Sequence, residues 1–247
     1  MIIEQSAQGY RYSVEPFLLA DFIRVQPGFQ VLDVGTGCGI ISLLLMTLEP
    51  GLKITAVEVQ KSLHDLARQN VAENGLSSHI QVIHGDFLQV AATMGNETFD
   101  LAISNPPYRK INTGRTNPNE EKAIARHELS LNLQSILKQS ASLLKPGGKI
   151  ALAYPPHRLT EVLSEMKQYA VFPSRLRFIH GTSGADAKIF LVEGVKGCQV
   201  DCAVEPPLTL CKADNSYTEE MRTIYDSFNH TDRSNHIEKE RYGNGVS

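Results

Sequence analysis

Short apolar runs alternate with amphipathic stretches along most of this chain. The runs are rich in Val, Ile and Leu, and turn-forming residues follow most of them, as is typical of buried parallel strands. The stretches between them carry apolar residues at helical spacing: Leu63, Leu66 and Val71 share one face, and Gly75 is placed to end that helix. The pattern predicts seven strands, at residues 31–34, 53–59, 80–83, 99–103, 149–154, 175–180 and 188–192.

The fold class follows from the helices that are predicted between these strands. Strands that alternate with helices form a parallel sheet covered on both faces, which is a doubly wound, Rossmann-like α/β fold. A short, turn-rich segment separates the last two strands, so we expect a seven-stranded, mostly parallel sheet with a terminal antiparallel strand. We expect one domain over residues 1–228 and a polar, disordered tail over residues 229–247. The predicted helices cover residues 40–48, 60–74, 123–144 and 159–169.

Composition narrows the class of protein. The chain has 42% hydrophobic and 21% charged residues, a globular balance, and no apolar run reaches the roughly 18 residues of a membrane span. The first residues lack the basic and apolar regions of a secretory signal, so we expect a cytoplasmic protein that is not bound to a membrane. The net charge of −3 argues against general coating of nucleic acid, although it is compatible with a local basic face.

The cysteines give no sign of a disulfide framework or a metal site. There are four of them in 247 residues, and their spacing does not match the paired CxxC or CxxH motifs of zinc sites. We therefore expect no metal, and we interpret the cysteines as small buried side chains in a reducing compartment. They are Cys38, Cys198, Cys202 and Cys211.

A glycine-rich turn follows the first predicted strand. Gly35, Gly37 and Gly39 let the backbone turn sharply and approach a ligand closely, where the next helix begins. The spacing lacks the longer gap of pyrophosphate-binding turns, and no Lys-Ser/Thr pair follows as in a P-loop. Glu58 ends the second strand, where such folds place a carboxylate on ribose hydroxyls. The alternatives are a plain tight turn and, for Glu58, a residue at a helix entry.

An adenine slot is suggested after the third strand. Asp86 can accept a hydrogen bond from an adenine amine, and Phe87 can pack on the ring. The alternative for Asp86 is a helix cap, a position where Asp is favoured. S-adenosylmethionine carries no phosphate and needs backbone near its amino-acid end, a carboxylate for its ribose and a slot for its adenine. The turn, Glu58 and Asp86 together match these needs.

The most specific motif, Asn105-Pro106-Pro107-Tyr108, follows the fourth strand. The prolines fix the backbone, so that the Asn105 side-chain oxygen and the Pro106 carbonyl can both accept from one planar NH2 group. Such a nitrogen is a poor nucleophile because its lone pair is delocalised, and two fixed acceptors help to localise that pair toward an activated methyl group. Tyr108 offers a ring for stacking on the planar target. The alternative is a surface proline turn.

These motifs together resemble class I S-adenosylmethionine-dependent amino-methyltransferases. More narrowly, the chain is similar to the bacterial tRNA1(Val) adenine N6-methyltransferase family over residues 2–225. The resemblance implies a Rossmann-like methyltransferase fold, S-adenosylmethionine as cofactor, and methylation of the adenine beside the anticodon of a valine tRNA. Besides the motifs above, the segments that carry it are residues 8–13, 124–128, 144–148, 173–177 and 217–220.

The resemblance also implies roles for individual residues. Residues 8–13 look like the motif that closes over the methionine end of the cofactor. Asn105, Pro106 and Tyr108 are the implied catalytic residues. The implied cofactor-binding residues are Tyr12, Asp33, Gly35, Thr36, Gly37, Gly39, Glu58, Asp86, Phe87 and Asn105.

A local excess of positive charge follows the Asn-Pro-Pro-Tyr motif. Residues 109–126 contain five basic and two acidic side chains, in a chain whose total charge is −3. A basic rim beside the target pocket can hold RNA phosphates, whereas the alternative is a solvated loop. Arg158, Arg175 and Arg177 are candidates to extend this face. The predicted RNA-binding residues are Pro107, Arg109, Lys110, Arg115 and Arg126.

Other functions stay open from the residues alone. The Asn-Pro-Pro-Tyr motif also suits a carboxamide, so a protein glutamine N5-methyltransferase is one alternative, although such enzymes usually carry an added N-terminal helical domain. Methylation of a guanine N2 in rRNA or of an adenine N6 in DNA is another. The non-enzymatic alternative is a protein that binds S-adenosylmethionine as a sensor.

Overall fold

The computed structural model describes residues 1–4, 14–106 and 133–228. Within them, nine strands form one sheet. The strands are β1 Gln30–Val34, β2 Lys53–Glu58, β3 Ile80–His84, β4 Phe99–Ser104, β5 Leu144–Tyr154, β6 Val171–Thr182, β7 Ala187–Lys196, β8 Ala203–Val204 and β9 Leu208–Cys211.

The described residues contain the predicted helices, the one at 123–144 in part, and the structure adds three that are not among those predicted, at Glu15–Phe22, Phe87–Ala91 and Glu219–Ser227. The helix predicted at residues 40–48 has the same bounds in the structure, and the one predicted at 60–74 is one residue shorter at each end. A short 3-10 turn, Pro156–Arg158, follows β5. The helices are α1 Glu15–Phe22, α2 Ile40–Leu48, α3 Lys61–Glu73, α4 Phe87–Ala91, α5 Leu133–Leu143, α6 Leu159–Gln168 and α7 Glu219–Ser227.

The sheet has the order β3-β2-β1-β4-β5-β7-β6-β8, and β9 also pairs with β6. The first five strands are parallel to one another, and β7 runs antiparallel to both β5 and β6. This confirms the predicted doubly wound sheet with its antiparallel strand. The two additional strands, β8 and β9, escaped prediction because they are very short and lie in a proline-containing segment whose pattern is weak.

Two hydrophobic clusters pack on opposite faces of the sheet. Successive side chains of a strand point to opposite faces, so Val31 joins one cluster and Leu32 the other. Helices α1, α2 and α7 pack on the first face, and α4, α5 and α6 pack on the second. Because both faces are covered, β1 is buried at nearly every position, and the ends of the strands are where polar groups can meet a ligand.

The fifth strand begins earlier than its sequence predicts. Leu144 already pairs with Phe99, and regular pairing resumes at Leu101 with Lys149. A register shift between the two accommodates the turn, in which Gly147 has a φ of 75°. A glycine at this position avoids the steric cost that a side chain would impose.

Several predicted features lie outside the described residues. They are the tail at 229–247, the basic segment at 109–126 and the first part of the helix predicted at 123–144. Within the described part of the chain, no helix has the length and apolarity that a membrane span requires.

Candidate active site

The predicted site residues converge at the carboxyl edge of the sheet. Val34, the last residue of β1, is in register with Val57 in β2 and with Ser104 in β4. Glu58 is in register with His84, the last residue of β3. The segments that follow these four strands therefore emerge side by side. In open α/β sheets the ligand crevice lies at this edge, where the strand order reverses between β1 and β4.

The glycine turn presents backbone to open space. Gly35 and Gly37 have φ values of 73° and 61°, and a Cβ added to either would meet no atom within 4 Å. The turn is held against β2, because the amides of Gly35 and Thr36 both donate to the Val57 carbonyl, at 2.9 and 3.1 Å. Positive φ and open space together fit a backbone surface against which a ligand lies.

Gly39 has a different role from the other two glycines. It precedes α2 with a φ of 85°, and a Cβ there would lie 3.4 Å from the Cβ of Ala67 in α3. This glycine therefore permits close packing of the turn on α3. Its predicted contact with a cofactor stays a prediction.

Asp33 supports the turn from within the protein. It is 1% exposed, and its Oδ2 accepts hydrogen bonds from the hydroxyls of Thr36 and Ser42, both at 2.7 Å. Burial raises the pKa of Asp33, the two hydroxyls oppose that shift, and Glu58 adds to it. Asp33 and Thr36 thus fix the turn by contacting each other. Direct contact of either with a cofactor stays a prediction.

Glu58 reaches the same turn from β2. Its side chain is 3% exposed, its Oε2 accepts from the Gly37 amide at 2.9 Å, and its Oε1 accepts from the Gln60 amide at 2.8 Å. Each carboxylate oxygen has two acceptor sites, so the group can also accept from vicinal hydroxyls. This places the expected ribose-binding carboxylate directly against the glycine turn.

Asp86 and Phe87 open α4 after β3. Asp86 caps the helix, since its Oδ1 accepts from the Leu88 amide at 2.8 Å. The Phe87 ring is 1% exposed and lies in the cluster that contains Val34 and Val57. The structure therefore gives both residues structural contacts, the cap having been the stated alternative for Asp86. Their contact with an adenine stays a prediction.

Half of the Asn-Pro-Pro-Tyr motif lies within the described residues. Asn105 and Pro106 directly follow β4, are half-buried, and stand beside Gly35 through the register of Ser104 with Val34. The Ser104 hydroxyl donates to the Val34 carbonyl at 2.9 Å. The remaining predicted site residues lie outside the described residues: Tyr12, Pro107, Tyr108, Arg109, Lys110, Arg115 and Arg126.

Arginines beyond this edge are engaged with carboxylates. Arg175 pairs with Glu193 and with Glu205, and Arg177 pairs with Glu220. Neither guanidinium is presented as an unpaired charge for RNA, so the sequence interpretation that they extend a basic face was wrong. Their acidic partners are distant in sequence, and pattern alone could not reveal them.

Arg158 follows β5 in the 3-10 turn and is also paired. It contacts Glu161 through two nitrogens, at 2.8 and 2.5 Å, and its guanidinium lies 4.9 Å from the centre of the Tyr154 ring. This arrangement fixes the turn that begins beside the end of β4. It also reduces the net charge that Arg158 brings to the surface.

Sequence analysis missed three polar residues that hold the site together. Ser42, Ser104 and Asn70 are all fully or almost fully buried, and each bonds to the glycine turn or to the strands around it. A signal exists for Ser42 and Ser104, because each is a lone polar residue in an apolar run. Buried polar groups need partners, so such isolated residues indicate bonds across elements.

The cysteines differ from their expected burial. Cys198 and Cys202 are exposed, whereas Cys38 and Cys211 are half-buried, and all four are free thiols. Exposure was missed because β8 and the segment before it lie at the edge of the sheet. In the described ranges, no three His, Cys, Asp or Glu side chains are grouped in a way that could hold a metal ion.

Known proteins connect this geometry to a family. A family model described as methyltransferase small domain matches residues 16–171, a range that includes every motif from α1 to the start of β6. A tRNA1(Val) (adenine(37)-N6)-methyltransferase of Porphyromonas gingivalis is 30% identical, over 77% of this chain and 76% of its own. A protein of the same name from Tolumonas auensis is 28% identical and covers 92% of both chains.

The chain belongs to the bacterial tRNA1(Val) adenine N6-methyltransferase family. Solved structures agree with the fold of this family. A predicted O-methyltransferase of Agrobacterium tumefaciens has a TM-score of 0.70 at 18% identity, over 86% of this chain and 96% of its own. A SAM-dependent methyltransferase of Aquifex aeolicus has a TM-score of 0.52 at 19% identity, over 73% and 89% of the two chains.

S-adenosylmethionine is the cofactor of this methyltransferase. The residues of the site fit it. The open backbone at Gly35 and Gly37 suits a ligand without phosphates, and the Glu58 carboxylate beside it suits ribose hydroxyls. The chain is thus a member of the family by its motifs, its fold and the geometry of its cofactor turn.

Proposed function

We propose that this methyltransferase methylates the N6 amine of an adenine in tRNA, namely the anticodon-loop adenine of a valine tRNA. The position of Asn105 carries the proposal. It follows Ser104, whose register partner Val34 leads directly into Gly35. The acceptor for the target amine therefore stands next to the turn that binds the cofactor. Relatives that are named for this reaction support the same substrate.

The chemistry requires positioning more than proton transfer. Bound S-adenosylmethionine supplies a methyl group activated by a sulfonium sulfur. Asn105 accepts from one N–H of the amine through its side-chain oxygen, and Pro106 accepts from the other through its carbonyl. These bonds localise the nitrogen lone pair and hold it in one direction. The nitrogen loses one proton as it gains the methyl group, so the adenine product stays neutral.

The RNA is held by residues that follow this pair. Tyr108 stacks on the extruded adenine, and Pro107 lines the same pocket. Arg109, Lys110 and Arg115 bind phosphates around it, together with Arg126. The sequence excess of positive charge over residues 109–126 supports this role. An enzyme with a tRNA substrate is expected to work in the cytoplasm.

A single substitution tests the role of Asn105. We expect Asn105→Ala to lower methylation of a tRNA1(Val) transcript by about 100-fold or more, as loss of a transition-state hydrogen bond does elsewhere. Its thermal unfolding should stay close to that of the wild type, and the loss of methylation should persist at saturating S-adenosylmethionine, because Asn105 is also an implied cofactor-binding residue. Asn96→Ala is the matched control, because Asn96 is exposed in the turn at the opposite end of β4. Full activity of the Asn105 variant would refute the proposal.

The identity of the substrate needs a separate experiment. Nucleosides of total tRNA from a strain that lacks this protein should show less N6-methyladenosine by mass spectrometry. Incubation of the purified enzyme with labelled cofactor and either tRNA, rRNA, DNA or release factors should label the tRNA. Label on a glutamine, a guanine or DNA would replace the proposed substrate with the corresponding alternative. Cofactor binding without any labelled product would indicate a sensor.

A further inference from the structure

One buried asparagine contacts both the glycine turn and the first residues of the chain. Asn70 lies in α3 and is fully buried. Its Nδ2 donates to the Cys38 carbonyl at 2.9 Å, and Cys38 stands between Gly37 and Gly39. The same amide group donates to the Glu4 carbonyl at 3.1 Å and accepts from the Glu4 N–H at 2.8 Å. Both donors and the acceptor of this side chain are therefore used.

A second asparagine repeats the pattern one helical turn later. Asn74 accepts from the Ile2 N–H at 2.9 Å and donates to the Ile2 carbonyl at 2.6 Å. Side chains four residues apart on a helix are separated by about 6 Å along its axis. Alternate residues of an extended chain are separated by about 6.6 Å. The two spacings match, so the side chains of Asn70 and Asn74 can bond to the backbone of residues 4 and 2 at the same time. We call this pair of asparagines the amide ladder.

Asn70 and Asn74 differ in the additional bond that each side chain makes. Asn74 bonds to Ile2 and to the backbone carbonyl of Asn70, within its own helix. Asn70 bonds to Glu4 and also to the cofactor turn. A bound ligand that orders the turn therefore acts on Asn70, and through it on Glu4. Two sites that bias the position of one shared side chain can have coupled binding free energies.

We propose that Asn70 is a positioning residue for S-adenosylmethionine, which couples the geometry of the glycine turn to the docking of residues 1–4 on α3. The inference rests on the cofactor site and not on the identity of the RNA. It assigns to Asn70 a contribution to cofactor affinity and none to the methyl-transfer step. Docking of Glu4 tightens cofactor binding, and cofactor binding tightens docking of Glu4 by the same factor.

Calorimetry with S-adenosylmethionine and no RNA tests the proposal directly. Asn70→Leu keeps the branched shape and the number of heavy atoms of the side chain and removes all three hydrogen bonds. We expect it to weaken cofactor binding by about 10-fold, within the roughly 5- to 150-fold range that is typical of coupling between two sites. At saturating cofactor, kcat on the RNA substrate should stay within about 2-fold, while the KM for cofactor follows the dissociation constant. Unchanged cofactor affinity in a folded Asn70→Leu variant would overturn the proposal.

Asn74→Ala is the matched control. It removes the bonds to Ile2 but leaves those of Asn70 to Glu4 and Cys38, so its cofactor affinity should change by less than about 3-fold. An equal loss of affinity in both variants would show a general effect of α3 stability and would also overturn the proposal.

A second measurement separates a coupling role from a merely structural one. In the wild type, exchange of the Glu4 amide hydrogen, followed by NMR, should slow when S-adenosylmethionine is added. An exchange rate that does not respond to cofactor would refute the coupling. If the protein instead binds cofactor as expected but methylates no RNA, the proposed function fails while this inference stands.

Discussion

The Ser104 hydroxyl donates a hydrogen bond to the Val34 carbonyl at 2.9 Å, and both residues are 1% exposed. The two residues are register partners at the ends of β4 and β1. Each immediately precedes a residue of the active site: Asn105 follows β4, and Gly35 follows β1. The bond therefore fixes the offset between the turn that binds the cofactor and the acceptor for the target amine.

We predict that Ser104→Ala lowers both the free energy of unfolding and kcat. Removing the hydroxyl should lower the free energy of unfolding by about 1 kcal/mol. It also loosens the alignment of Asn105 with the cofactor turn, so kcat should fall several-fold. Urea denaturation and steady-state kinetics measure the two effects. Ser142→Ala is the control, because its hydroxyl bonds to the Gln139 carbonyl within α5 at 2.8 Å. A stability loss with unchanged kcat would contradict the alignment role.

A second prediction uses two glycines with the same backbone geometry. Gly35 and Gly75 have φ values of 73° and 71°, and a Cβ at either meets no atom within 4 Å. Substitution by Ala should therefore cost both variants a similar backbone strain of about 1–2 kcal/mol. Only Gly35 lies at the cofactor turn, so Gly35→Ala should weaken S-adenosylmethionine binding by at least about 10-fold, the effect of roughly 1.4 kcal/mol.

Calorimetry measures the affinity of both variants for S-adenosylmethionine, and thermal unfolding measures their stability. Gly75 follows α3, away from the turn, and Gly75→Ala should bind the cofactor as the wild type does. If both variants lose cofactor affinity to the same extent, the open space above Gly35 is not where the cofactor lies.

The sequence could predict the elements of the fold because their patterns are local. The helix over residues 40–48 and the strand ends at Val34 and Glu58 follow from apolar runs and the residues that interrupt them. The glycine turn and Glu58 could be predicted as neighbours because parallel strands of one sheet end at the same edge. No knowledge of long-range contacts was needed for either step.

Contacts between distant residues could not be predicted in the same way. Arg175 reads as a basic surface residue in sequence, yet its partners Glu193 and Glu205 lie 18 and 30 positions away. Contact of Asp33 with the cofactor stays a prediction, whereas the bonds from Thr36 and Ser42 to its Oδ2 were not evident from the pattern. Such pairings depend on sheet order and on helix packing, which the local pattern does not encode.

The buried carboxyl group of Asp33 makes stability depend on pH in a defined direction. Burial raises the pKa of Asp33 above its ordinary value of 3.8. The folded state therefore holds this proton more tightly than the unfolded chain does. The stabilisation from this group is complete below pH 3.8 and is lost as the pH rises through the folded-state pKa.

Asp33→Asn removes this titration and keeps an oxygen that can accept from Thr36 and Ser42. We predict that the unfolding free energy of the wild type, relative to that of the variant, decreases as the pH rises above 3.8 and then levels off. Urea denaturation of both proteins across that range measures the difference. Parallel pH profiles for the two proteins would contradict the prediction.

Phosphate binding by the basic segment should appear in the salt dependence of tRNA binding. Log affinity falls linearly with log salt, and each basic side chain that no longer binds a phosphate should reduce the magnitude of this slope by about 0.7–0.9. We therefore predict that the double variant Arg109→Ala and Lys110→Ala binds tRNA more weakly and has a slope that is smaller in magnitude by about 1.5. Its affinity for the cofactor should be unchanged. Filter binding at several salt concentrations measures both. An unchanged slope would mean that these side chains only solvate the segment.

Arg175 is expected to contribute to the stability of the protein and not to the salt dependence of tRNA binding. Its side chain is 13% exposed, its Nη1 donates to the Phe22 carbonyl at 3.0 Å, and its Nε donates to Glu205 at 2.8 Å. Removing the guanidinium leaves Glu193, which is 1% exposed, with less positive charge to offset its burial, although Lys149 stays 3.0 Å from it.

Arg175→Met should therefore lower the free energy of unfolding by about 3 kcal/mol. It should leave the salt slope of tRNA binding unchanged, in contrast to the double variant at residues 109 and 110. Urea denaturation measures the first effect, and filter binding at a temperature where the variant is fully folded measures the second. A smaller salt slope would show that Arg175 does bind RNA phosphates. A stability equal to that of the wild type would mean that Lys149, 3.0 Å from Glu193, is enough to neutralise this carboxylate.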